Sequence, residues 1–160
     1  MNIIKYILLT TFIFMLAGCG GGGGDGVVPP AAATSMKLTV VLEGNNAALV
    51  KGISATITLP SGVVLNADAA GKVLSGVLTP ATGTPSGSMD GKYIAASGST
   101  PATVTVAFIT SDNLAAGDFV TLTADLSPGI SAPAVSAFII SSKLVDADGV
   151  VVSGASLVLR

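Results

Sequence analysis

The groups able to do chemistry in this 160-residue chain are nine carboxylates, seven basic side chains and one cysteine, with no histidine to join them. Without His there can be no Ser-His-Asp or Cys-His triad, no His proton shuttle and no His-containing zinc site. A glycosidase would need two carboxylates facing one another across a cleft. The acids Asp25, Glu43, Asp68, Asp90, Asp112, Asp118, Asp125, Asp146 and Asp148 show no spacing that pairs them so. Several stand beside turn formers, as in Glu43-Gly44, Asp90-Gly91, Asp112-Asn113 and Asp148-Gly149. There an acid followed by Gly or Asn suits the positive φ of a tight turn. Asp146-Ala147-Asp148-Gly149 has the alternate carboxylates that open a calcium loop, but Val150 fills the next ligand position and no distal Glu follows. A hairpin turn is the favoured reading, and a calcium contribution is the alternative. No catalytic residue, metal or cofactor is expected, so the chain reads as non-enzymatic.

Sugar sites stack rings on exposed Trp or Tyr, yet aromatic residues make up only 4% of the chain and Trp is absent. Past the first strand-like segment the choice is Tyr93, Phe108, Phe119 and Phe138. Tyr93 and Phe119 are the candidate ligand-binding residues. Phe119 shares the polar parity of Thr121, Thr123 and Asp125, which leaves it either exposed on a sheet face or covered by an adjoining loop.

The cysteine has a more specific setting. Met1 to Lys5 is a short basic start, and Tyr6 to Ala17 is a nearly unbroken apolar run. That run is too short for a membrane span of about 20 residues but suits the h-region of a signal peptide. It ends in Leu16-Ala17-Gly18-Cys19, which resembles the bacterial lipobox. The resemblance implies cleavage between Gly18 and Cys19, a diacylglycerol thioether on Cys19 and an amide-linked acyl chain such as palmitate. Several acyl chains anchor stably where one does not. An ordinary signal peptide would instead leave an unpaired thiol in an exported protein. Residue 20 is Gly rather than Asp, which by the same resemblance favours the outer membrane over inner-membrane retention.

Residues 19–35 then form a tether, with five glycines from Gly20 to Gly24 followed by a Pro/Ala-rich stretch. Glycine has the widest backbone freedom and nothing to bury, and a linker of this kind reaches roughly 20–25 Å. A phosphate-binding GxGxxG loop fails here, because no strand leads in and no helix leads out. A formal charge of −2 gives no basic footprint for nucleic acid.

Residues 36–160 are one domain's worth of chain, large enough to bury a core without a disulfide. Their hydrophobic pattern has period two. Ile53, Ala55, Ile57 and Leu59 alternate with Ser54, Thr56 and Thr58 before Pro60-Ser61-Gly62, and Val120, Leu122, Ala124 and Leu126 alternate with Thr121, Thr123 and Asp125 before Ser127-Pro128-Gly129. Further strands are expected at 36–42, 63–65, 73–78, 93–96, 103–110, 135–145 and 155–159. Many short strands with Gly/Pro turns and no helical stripe argue for an all-β sandwich. Residues 79–89, almost entirely Thr, Ser, Gly and Pro, read as a long loop. A mobile insertion is favoured there over a ligand-contacting or O-glycosylated one.

Asn113-Leu114-Ala115-Ala116-Gly117-Asp118-Phe119-Val120-Thr121-Leu122-Thr123-Ala124 resembles the stretch in cohesin-type domains where a Gly precedes a late, alternating strand. Ile53 to Leu65, with its strand, turn and Val/Leu segment, is similar to the early part of such domains, and Ala137-Phe138-Ile139-Ile140 and Gly154 to Leu159 stand where their last strands lie. The resemblance implies a jelly-roll β-sandwich of about nine strands, related to bacterial carbohydrate-binding modules, with a protein docked on a flat sheet face. Where dockerin-binding cohesins commonly have Tyr-Asp-Pro, this chain has Leu59-Pro60-Ser61, so no contact residue is carried over. The expected role is a cell-envelope lipoprotein displaying a protein-binding or surface-assembly module, with polysaccharide binding as the alternative.

Overall fold

The structure is a computed structural model and describes residues 34–160. The signal segment, Cys19 and most of the tether lie outside the described residues.

Among the described residues, nine strands form two antiparallel sheets. They are β1 (Ser35–Glu43), β2 (Gly52–Thr58), β3 (Val63–Val64), β4 (Leu78–Pro80), β5 (Ser88–Ile94), β6 (Thr103–Ile109), β7 (Gly117–Leu126), β8 (Ile139–Val145) and β9 (Ser156–Leu159). One sheet runs β3-β7-β1-β9, with β4 also on β7, and the other runs β5-β6-β2-β8. The expected all-β sandwich of about nine strands is what forms.

The period-two pattern works as anticipated in the centre of each sheet. On β2 and β6, Ile53, Ala55 and Ile57 meet Phe108, Val106 and Val104 in register and are buried, while Ser54, Thr56, Thr105 and Ala107 face outward. Leu38, Val40 and Leu42 of β1 and Leu122 and Ala124 of β7 supply the facing layer of one continuous core. Each fully buried Leu, Ile, Val or Phe side chain stabilises the fold by about 1.5–3 kcal/mol relative to exposure.

Three segments differ from the sequence pattern. The 73–78 run is not a strand, because Gly76 takes φ +88° and turns the chain, leaving isolated bridges before β4 begins at Leu78. Residues 135–137 form a short 3-10 turn, and β8 starts only at Ile139. The loop expected over 79–89 is shorter, since β4 extends to Pro80 and β5 already begins at Ser88. The remainder of that loop is tied down. Ala81 N–H donates to the Phe119 carbonyl at 3.0 Å and the Thr84 hydroxyl donates to the same oxygen at 2.7 Å, while the Thr110 hydroxyl donates to the Ser86 carbonyl at 2.8 Å.

Candidate functional site

Phe119 is not a surface residue. It is 2% exposed, and its ring meets Phe108 of the opposite sheet edge-on, with centroids 5.1 Å apart and an interplanar angle of 73°. The cause is a β-bulge. On β1, Val40 pairs with Val120 and Val41 with Asp118, so Phe119 is an extra residue with no partner on β1. A bulge breaks strict alternation, and here both Phe119 and Val120 are buried. The residue is therefore removed from the ligand-binding candidates, and its role is to join the two sheets across the core.

Tyr93 is half-buried on the inner side of β5, packed against the core beside Val104. It also lines an open cleft of about 460 Å³ at one end of the sandwich, between the Pro60-Ser61-Gly62 turn and the Ala95–Ala102 segment. The cleft walls are Ala, Gly, Pro, Ser, Thr, Leu and Val with that one tyrosine, and among the described residues no charged side chain lines it.

Five of the eight described carboxylates have structural partners. Asp146 Oδ1 accepts hydrogen bonds from the backbone N–H of Asp148 and Val150, both at 2.9 Å. Asp68 Oδ1 accepts from Ala70 and Lys72 at the same distances. These are two copies of one turn, and Asp68-Ala69-Ala70-Gly71-Lys72-Val73-Leu74-Ser75-Gly76 matches Asp146-Ala147-Asp148-Gly149-Val150-Val151-Val152-Ser153-Gly154 in sequence as well. Gly71 and Gly149 take φ +83° and +79°, the conformation for which glycine pays no steric cost. Because the first copy closes with Ala70 where the second has Asp148, the turn needs no second carboxylate to form. Among the described residues no cluster of three or more His, Cys, Asp or Glu is placed to hold a metal. Glu43 pairs with Arg160 at 2.7 Å, Asp125 accepts from Asn66 at 2.7 Å, and Asp90 lies 3.6 Å from Lys72.

What the sequence pattern did not single out is the outer face of the four-stranded sheet. The register aligns its outward residues in rows across β5, β6, β2 and β8: Ser88–Ile109–Gly52–Val145, Asp90–Ala107–Ser54–Lys143, Lys92–Thr105–Thr56–Ser141 and Ile94–Thr103–Thr58–Ile139. The two central columns hold only Gly, Ala, Ser and Thr apart from Ile109, so the middle of the face is low and flat. Three isoleucines stand at its margins in solvent, Ile109 at 69%, Ile139 at 66% and Ile94 at 56% exposure. At one end Ile109 and Val145 flank Gly52 to form a depression of about 440 Å³ that Lys51 and Asp146 also border. The opposite sheet presents Lys37, Asp125 and the Glu43–Arg160 pair to solvent along with Thr39, Thr121 and Thr123.

The chain matches no protein-family model, no curated protein and no solved structure.

Proposed function

We propose that this chain is a non-enzymatic, lipid-anchored envelope protein whose β-sandwich docks a protein on the outer face of its four-stranded sheet. The observation that carries the docking surface is the row pattern of that face. Small Ser, Thr, Ala and Gly side chains give a level floor with little rotamer entropy to lose, and the exposed Ile94, Ile109 and Ile139 supply apolar area that solvent does not favour. Such a face fits the sheet-face docking that the cohesin resemblance implies. The lipobox-like Leu16-Ala17-Gly18-Cys19 supports an acyl anchor at Cys19, Gly20 supports outer-membrane placement, and the glycine tract supplies reach.

The test is retention of a defined protein from envelope extract on the immobilised chain. Wild type and Thr121→Arg retain it, and Thr105→Arg, which plants a long cation in the middle of the floor, loses it. Repeated recovery of no protein, or loss through Thr121→Arg instead, counts against the reading.

A second reading, polysaccharide binding, attaches to the cleft beside Tyr93, where an aromatic ring lines an open groove. Its test is a glycan array. Binding that Tyr93→Ala abolishes supports it, and silence across soluble and insoluble glycans removes it.

A further inference from the structure

We propose that the occupant of the four-stranded sheet's outer face is the same face of a second copy of this chain, the two related by a two-fold axis running along the strands. This rests on the reading of that face as a docking surface and names its partner. A two-fold interface must be self-complementary, with residue i on j and j on i. An axis along the strands, midway between β6 and β2, keeps each row opposite itself and exchanges β5 with β8 and β6 with β2.

The rows then complement one another. Ile109 meets the partner copy's Gly52, over which Val145 leans, so the most exposed isoleucine of the face packs on Val145 at the edge of the depression. In the next row Asp90 meets Lys143, twice by symmetry, and Ala107 meets Ser54. In the third row the small Thr105 and Thr56 face each other. In the last, Ile94 meets Ile139, so both remaining exposed isoleucines are covered. The other in-plane axis, perpendicular to the strands, sets Asp90 on Lys92 but leaves Lys143 on Ser141 and Ile109 on Thr103. Each axis pairs Asp90 with one lysine and leaves the other on Ser141, and only the first sets Ile109 beside the depression and Ile94 on Ile139. Asp90 retains an open side for this contact, because its ion pair with Lys72 is 3.6 Å long and both side chains stay more than 60% exposed.

Two consequences follow from the geometry. A two-fold along the strands leaves Ser35, where β1 starts, at the same end of both copies. The footprint of four strands by about seven residues is roughly 19 by 23 Å, about 440 Å² on each copy, which is below the range of stable specific interfaces. The dimer is therefore weak in solution and gains when both copies are held on one membrane, where effective concentration is high.

Equal amounts of isotopically light and heavy full chain, mixed in non-denaturing detergent and treated with a carbodiimide, test the contact. Within one chain Asp90 and Lys143 are three strand spacings apart, about 14 Å, too far for a zero-length link. The intrachain Asp90–Lys72 link serves as a positive control. The expected result is a heavy–light Asp90–Lys143 link, reduced about tenfold or more by Ile109→Asp, whose fold is checked by circular dichroism. In sedimentation, Asp90→Lys and Lys143→Asp each raise the dimer dissociation constant about tenfold, and the double exchange restores it to within about threefold. A chain that stays monomeric, a heavy–light Asp90–Lys92 link, or single charge variants that the double exchange does not rescue overturns the proposal. A monomer that retains a different envelope protein, and loses it through Thr105→Arg, overturns the second copy as occupant while keeping the docking face.

Discussion

The Thr84 hydroxyl donates a 2.7 Å hydrogen bond to the backbone carbonyl of Phe119, the one residue of β7 that the bulge leaves without a partner on β1. The Ala81 N–H donates to the same oxygen at 3.0 Å. A bulge that turns Phe119 into the core disrupts the ladder locally, and a carbonyl left unpaired in a half-buried place costs stability. The Thr/Ser/Gly/Pro loop supplies the missing donors. Its composition suits this task, since Gly83 takes φ +94° and Gly87 passes where a Cβ would lie 2.6 Å from the Phe108 ring.

Thr84→Val should cost about 1 kcal/mol, because one hydrogen bond is lost while Ala81 still satisfies the carbonyl. Thermal unfolding reads this as a fall of roughly 3–6 °C in Tm. No loss would mean that the loop does not support the bulge.

Phe119→Ala should destabilise the domain by about 3–5 kcal/mol, as expected for an aromatic removed from a packed core, while Phe119→Leu costs about 1–2 kcal/mol. Chemical denaturation measures both. A variant of unchanged stability that lost binding to a ligand would return Phe119 to the surface.

Asp146→Ala should cost about 1–2 kcal/mol by removing the acceptor for two backbone N–H groups, and Asp146→Asn, which keeps an acceptor oxygen, should cost less than about 0.5 kcal/mol. Asp148→Ala should be nearly neutral, since Ala70 holds the equivalent place in the first copy of the turn. Denaturation midpoints with and without calcium should coincide for all of them. A calcium-dependent rise in the wild type, lost in Asp148→Ala, would favour the metal loop instead.

Gly44→Ala should be among the most damaging small changes, costing more than about 2 kcal/mol. Gly44 takes φ +110°, and a Cβ there would run into the backbone carbonyl of Gly154. Gly98→Ala is the control, with a left-handed φ of +57° but open space around it, and should cost only about 1 kcal/mol.

Cys19→Ala should abolish acyl labelling and release the protein from the membrane fraction. A variant that stays membrane-bound without label would show that the Leu16–Cys19 resemblance misleads.

The centre of each sheet was legible because alternation there is strict. Ile53 to Leu59 and Val120 to Leu126 announce strands by period alone, and their inward residues are those of the core. The limits lie where tertiary pairing overrides the local pattern. Phe119 follows polar parity until the pairing of β1 with β7 inserts a bulge, and that pairing joins segments some eighty residues apart. Ser88-Met89-Asp90-Gly91 looks like loop, yet it is the start of β5. There Gly91 is chosen for closeness, since a Cβ would lie 2.6 Å from Leu78 and Val73. The outer face of the four-stranded sheet was illegible for a similar reason. Ile94, Ile109 and Ile139 stand on three strands, and only the shared register puts them with Gly52 and the small residues between them.

Site-specific photo-crosslinking in intact cells measures most directly which sheet face meets another protein. A photoreactive residue at Thr105, in the middle of the four-stranded sheet's outer face, should give a protein adduct whose partner peptide can be sequenced, and the same residue at Thr121 on the opposite sheet should give none. Adducts at Thr121 alone, or at neither position, would contradict the proposed docking face.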